Sequence, residues 1–322
     1  MSFRRCVATG ALAAAIATSS VLPANAQGGG GGGGGGAGFG GGPPLYTPEP
    51  EARDLKAVLY NWAWSIGMLR GQAESELVGT VDWHGEGTVQ VDGQACSTTK
   101  LRVQINYQIP GYRTQIECRR ANGQTYSNVE TLSGQYVWDE DRPGAELVAG
   151  EGKATPRSNA LTERRIRLWA GPHGAPKAAI AAAAGVSIPD AFVQNPAALL
   201  DRQAAAGVRG TTTLEWQGNR PVLTFPLPDV PGATATATLN ERFLPERVVV
   251  RHGTNTTEFV YGNYQDFNNP LHRIEALYAG TIVERQNGAV VRDLETVETE
   301  IGQVYVVVPV PDSVRTAGTA RN

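Results

Sequence analysis

The chain has 322 residues and a hydrophobic content of 41%, enough to close a substantial core as one large β-rich domain or two smaller ones. Its formal net charge is -3, and no dense Lys/Arg run offers the basic face that a nucleic-acid backbone or an anionic bilayer requires. No nucleic acid is expected as a partner.

Residues 1–26, Met1 to Ala26, read as a secretory signal peptide. Arg4 and Arg5 form the charged start, and Ala8 to Ser19 supply an apolar stretch too short to span a bilayer. Ala24-Asn25-Ala26 before Gln27 is a small-x-small cleavage site. Cys6 lies in the wrong place to be the lipid-bearing cysteine of a lipoprotein, so a soluble periplasmic or secreted product is expected. No further apolar run approaches the roughly 20 residues of a membrane helix, so no transmembrane segment is expected after cleavage.

Residues 27–49 read as a flexible Gly/Pro-rich tether. Gly28 to Gly42 is almost pure glycine, interrupted by Ala37 and Phe39, and cannot bury enough apolar surface to offset its backbone entropy. Residues 50–322 are then expected to form a single β-rich domain.

From Glu49 the pattern is helical. Leu55, Val58, Leu59, Trp62, Ile66 and Leu69 recur at offsets of three and four, Pro48 and Pro50 stand at the start, and Gly71 is a reasonable stop. Residues 76–139 read as strands. Asp92-Gly93 and Asn122-Gly123 are two-residue hairpin signals, and Pro110-Gly111 makes a third turn. With that turn as hinge, Leu101, Val103, Ile105, Tyr107 and Ile109 alternate on one strand, facing Tyr112, Thr114, Ile116 and Cys118 on the next.

An oxidising compartment predicts that Cys96 and Cys118 pair. The hinge opposes Cys118 to Val103, however, and so separates the two sulfurs by some 20 Å. A bridge therefore needs the chain to bend around Ser97-Thr98-Thr99.

A helical insertion is expected at about residues 156–207. Ser158 or Asn159 can cap a helix carrying Leu161, Ile166, Leu168 and Trp169 that ends at Gly171-Pro172; an alanine-rich helix follows Pro176, and Pro189 and Pro196 start two shorter ones. Strands resume after Gly210: Thr211 to Trp216, Val222 to Phe225, Ala233 to Leu239, Val248 to Arg251 and Thr256 to Tyr261. Asn287-Gly288 then joins Thr281–Arg285 to Val290–Leu294, and Tyr305–Val308 closes the set. With no βα alternation, the fold class is α+β: a large curved antiparallel sheet, an incomplete barrel, with the N-terminal helix and the helical insertion packed on it.

Catalytic and metal signatures fail one at a time. There is no G-x-S-x-G elbow and no H-E-x-x-H, and Gly150-Glu151-Gly152-Lys153 departs from a phosphate-binding loop and reads as solvated. His84, His173, His252 and His272 are far apart and sit beside turn residues, so neither a metal nor a cofactor is expected. Asp139, Glu140 and Asp141 after Trp138 would suit a sugar hydrolase only if two carboxylates converged; Pro143-Gly144 makes an exposed turn the better reading. Glu295, Glu298 and Glu300 read as solvent-facing alternation, and Asn255-Thr256-Thr257 as turn chemistry.

The C-terminal third resembles the periplasmic lipoprotein-carrier superfamily, the LolA/LolB-like proteins and their outer-membrane lipoprotein-sorting relatives. The resemblance rests on Leu244-Pro245-Glu246-Arg247-Val248, Val260-Tyr261-Gly262-Asn263-Tyr264 with Phe267, Ile282, Leu294-Glu295-Thr296-Val297, and Val308-Pro309-Val310-Pro311 with Val314. It spans roughly residues 240–315. It implies an incomplete barrel closed by helices over an apolar groove that shelters a lipid or a lipoprotein acyl chain, with Trp62, Ile66, Val103, Ile105, Tyr107, Ile116, Trp138 and Tyr261 as the expected lining. The alternative is a filled core, in which Trp62, Trp64, Trp83, Tyr107, Trp138 and Phe225 pack together in an envelope scaffold or interaction module. Periodicity does not separate the two.

Overall fold

The structure is a computed structural model, and it describes residues 46, 48–49, 51–69, 78–192, 195–269, 271, 275–302 and 305–319. The leader, most of the tether, Pro50, Gly71 and His272 lie outside the described residues. The chain divides at Gly41/Gly42, and every described residue belongs to the second unit.

Helix α1 spans Leu55–Ser65 and starts later than expected because Asp54 caps it, its carboxylate accepting from the Ala57 N–H at 3.0 Å. Beyond it run β1 (Thr80–Val91), β2 (Gln94–Asn106), β3 (Gly111–Arg120), β4 (Thr125–Ser133), β5 (Tyr136–Glu140) and β6 (Ala154–Pro156). The insertion holds α2 (Leu161–Ala170), α3 (Gly174–Ala184), α4 (Ile188–Phe192) and α5 (Pro196–Ala205). Strands β7 (Thr213–Gln217), β8 (Arg220–Pro226), β9 (Thr234–Leu239), β10 (Pro245–His252), β11 (Asn255–Gly262), β12 (Thr281–Gln286) and β13 (Ala289–Ile301) follow, then α6 (Asp312–Thr319).

Among the described residues, 13 strands form one antiparallel sheet, ordered β6-β5-β4-β3-β2-β1-β13-β12-β11-β10-β9-β8-β7. Two meanders, β1 to β6 and β7 to β13, are thus laid side by side and zipped at the centre by β1 against β13. The edge strands β6 and β7 are not paired with each other, so the sheet is an open one and not a closed barrel. Asp92-Gly93 and Asn287-Gly288 carry the positive φ values of primed hairpin turns, 53° and 73° in the first pair and 49° and 87° in the second.

Helices α1 to α5 cover one face, the concave one, and α6 lies on the other. Several expectations change here. Asn106 accepts from the N–H groups of Gln108 and Ile109, both at 2.9 Å, and so opens the β2–β3 turn at Tyr107 rather than at Pro110. Val103 consequently opposes Thr114, not Cys118, and Ile109 sits 71% exposed in the turn. A slip at Thr98/Lys100 then sets Cys118 opposite Thr98 and diagonal to Cys96; the two are joined in a disulfide with their Cα atoms 5.5 Å apart. The required bend is thus a β-bulge.

No side chain caps α2; a short 3₁₀ turn at Ser158–Ala160 leads into it instead. Residues 305–308 form no strand, and Asn106 holds the segment by donating its side-chain amide to the Val306 carbonyl at 2.8 Å. Asp139 and Glu140 end β5 rather than forming an exposed turn: Glu140 is buried, accepting from Trp138 Nε1 at 2.8 Å and from the Gly144 N–H at 2.7 Å. His84 lies within β1, and His173 is buried at the start of α3 rather than beside an exposed turn.

Candidate functional site

The α2–α3 corner is driven into the concave face. Gly171 and Pro172 break the helix, and Gly174 allows the return: a Cβ there would sit 2.1 Å from the Leu168 carbonyl oxygen. Tyr261 donates to the Ala170 carbonyl at 2.8 Å, and the His173 ring stacks on Tyr278 with centroids 5.8 Å apart. Tyr107 packs on Trp169 from behind, 6.0 Å between centroids.

Three arginines fasten α2 to three parts of the sheet. Arg164 donates to the carbonyls of Thr131 and Trp138 and pairs with Asp139. Arg167 pairs with Glu284 at 3.0 Å, Glu163 at 2.5 Å and Glu130 at 3.4 Å. Arg165 donates to the Gly134 carbonyl at 3.2 Å and the Asp229 carbonyl at 2.6 Å. Gly134 lies in the β4–β5 turn and Asp229 in the β8–β9 loop, so the sheet curls until its two halves meet across one guanidinium.

This corner fills the middle of the concavity. Trp62, Ile66, Val103, Ile105, Tyr107, Ile116 and Tyr261 all belong to one continuous core with Trp169, Leu168 and the alanines of α3. Trp138 is not among them: it points to the opposite face, into a small cluster with Ala154 and Val314 of α6, because its neighbour Val137 takes the core side. Trp64 is also outside the core, 39% exposed and stacked on Tyr60.

Two clefts flank the corner. A narrow one of about 50 Å³ lies between Gly171-Pro172 and the sheet; Val103, Ile105 and Tyr261 line it together with Trp83, and Arg167, Glu284 and Arg292 form its charged end. A larger one, about 350 Å³, opens between α3, α4 and the β8–β9 loop. Trp169, Ala178, Ala181, Ile188, Leu227 and Pro228 make its walls, and Pro110 of the β2–β3 turn reaches its rim. None of the eight expected lining residues borders this larger cleft. Its signals in the sequence are the small residues Ala178, Ala181 and Ala182 on one helix face, and the Pro226-Leu227-Pro228 run that cannot continue a strand.

Charge is concentrated beside the smaller cleft, whereas the lining of the larger one includes Ser187 and the carboxylate residue Asp229. Burial alone would raise the Glu130 carboxyl, but Arg292 and Arg167 hold it down to about 2; Glu284 is lowered against its own burial by the same two arginines. Burial pushes His173 down to about 4, opposed only by the Ile66 backbone, and places Lys177 well below an ordinary amine, its Nζ 5.0 Å above the Tyr107 ring. Among the described residues, no group of three His, Cys, Asp or Glu side chains is placed to hold a metal ion, and no helix is long and apolar enough to cross a membrane.

The sequence matches no protein-family model and no curated protein. Among solved structures, the chain is similar to a Vibrio parahaemolyticus domain named for outer membrane lipoprotein sorting, at 8% identity and a TM-score of 0.40, over 82% of this chain and 98% of that one. It is also similar to a LolA superfamily protein of Nitrosomonas europaea, at 11% identity and a TM-score of 0.37, over 80% of this chain and 96% of that one.

Proposed function

We propose that this is an exported, non-enzymatic binding protein, periplasmic or secreted, that shelters the acyl chain of a lipid or of an acylated protein. The observation that carries the reading is the larger cleft. Its volume of about 350 Å³ falls within the roughly 300–1,000 Å³ of small-molecule sites, and methyl, proline and indole groups make up most of its lining, with Ser187 and Asp229 on its polar part. Such walls reward apolar surface removed from water and offer few polar partners to anything else. The filled centre of the concavity confines the chain to this end of the sheet, under α3 and α4.

Titration with a fluorescent acyl probe tests the proposal. A 1:1 saturable signal that disappears in Ala182→Trp, which builds an indole into the cleft wall, supports it; no binding by the wild-type protein refutes it. A second reading, an interaction module of the cell envelope, draws on one feature: Tyr305, Val307 and Ile109 stand 96%, 58% and 71% exposed around a groove of about 400 Å³ beside the β2–β3 turn. Failure of the acyl titration moves the weight to that surface.

A further inference from the structure

The three arginines of α2 are not equivalent. Arg164 has the Asp139 carboxylate, and Arg167 has those of Glu130, Glu163 and Glu284. Among the described residues, Arg165 has no carboxylate at ion-pair distance; its two hydrogen bonds go to the neutral carbonyls of Gly134 and Asp229. It stands beside the larger cleft, although it is not one of the residues that line it. Trp169, a wall of the larger cleft, lies four residues on along the same face of α2, about 6 Å along the helix axis, and Asp229, whose carbonyl Arg165 holds, lines the rim.

We infer that the cleft takes an amphiphile with an anionic head, a carboxylate or a phosphate, and that Arg165 binds the head while the chain lies along Trp169, Ala178 and Ala181. This rests on the cleft being an acyl-chain site, and it names the class of ligand. A guanidinium presents a planar fork that matches carboxylate and phosphate oxygens, and a charged acceptor outbids a neutral carbonyl for it. The displaced carbonyls are in exposed segments, where water satisfies them. Two carboxylates stand nearby. Asp190 receives the Ser187 hydroxyl at 2.6 Å, whereas the exposed Asp229 side chain, held in a left-handed backbone conformation at φ 56°, opposes an incoming anion.

The test compares hexadecanoic acid, hexadecyl phosphate and the methyl ester of hexadecanoic acid as competitors of a neutral fluorescent acyl probe, at neutral pH. For the wild-type protein the acid or the phosphate should bind about tenfold or more tightly than the ester; whichever shows the larger ratio identifies the head. Arg165→Gln should bring the ratio close to one, and Asp229→Asn should raise it. A wild-type ratio of one, or a ratio that survives Arg165→Gln, overturns the inference and leaves the acyl-chain reading standing. Should Arg165→Gln fail to fold, an unchanged ratio in Asp229→Asn overturns it instead. If neither acid, phosphate nor ester displaces the probe, the acyl-chain reading falls with it.

Discussion

At the scale of single residues, His173 makes stability depend on pH in the mildly acid range. The ring is buried and neutral in the fold, with its titration moved from an ordinary 6.5 down to about 4, so the unfolded chain binds a proton that the folded chain refuses between those values. The His173 contribution is therefore complete above pH 6.5 and is lost as pH drops toward 4, at up to about 1.4 kcal/mol per unit. Urea unfolding of His173→Phe, which keeps a ring against Tyr278, should lose that slope; a slope equal to the wild type's would contradict the assignment. Glu130 acts in a lower window. Its stabilisation is present above 4.5 and is lost as pH falls to about 2, so acid unfolding should sharpen only below the His173 range. The Cys96–Cys118 bridge closes a 22-residue separation, for which the chain-entropy estimate is about 3 kcal/mol. Reduction, or replacement of both cysteines by alanine, should shift the urea midpoint accordingly.

At the scale of elements, α2 is held by ions as well as by its apolar stripe. Arg167, Arg292, Glu130 and Glu284 form a closed network in which each arginine meets both glutamates. Removing one carboxylate strands buried positive charge, so Glu284→Ala should cost about 3–5 kcal/mol in equilibrium unfolding, although an exchange of the whole cluster for apolar side chains need not. The α2–α3 turn tolerates as little: Gly174→Ala meets the Leu168 carbonyl and should destabilise by about 1–3 kcal/mol. Element types were legible from periodicity because Leu55 to Leu69 and the Val, Ile and Thr runs each repeat at one period. Boundaries and register were not, since they turn on local side-chain bonds: Asp54 delays α1, and Asn106 shifts the β2–β3 turn and with it every pair along that ladder.

At the scale of the whole molecule, two meanders zipped at β1 and β13 make a sheet wide enough to curl around helices, and the helices then occupy the hollow they cover. Strand alternation identified inward-facing residues, Val103 and Ile105 among them, but inward facing means core wherever another element fills the space. The larger cleft beside the α2–α3 corner is built by pieces far apart in the chain, Trp169, Ala181 and Leu227, whose meeting depends on the curl and carries no local pattern. Residue Trp138 shows the same limit from the other side. Its aromatic character suggested the groove, while its parity in β5 sends it under α6.

Native mass spectrometry of wild-type protein and Ala182→Trp, each purified gently from the same cells, addresses the cleft most directly. The wild type should carry a single co-purifying acyl-chain molecule in near-stoichiometric amount, and Ala182→Trp should emerge folded and empty. Wild-type protein that is clean of any such molecule, or equal loading of the two, would contradict the account.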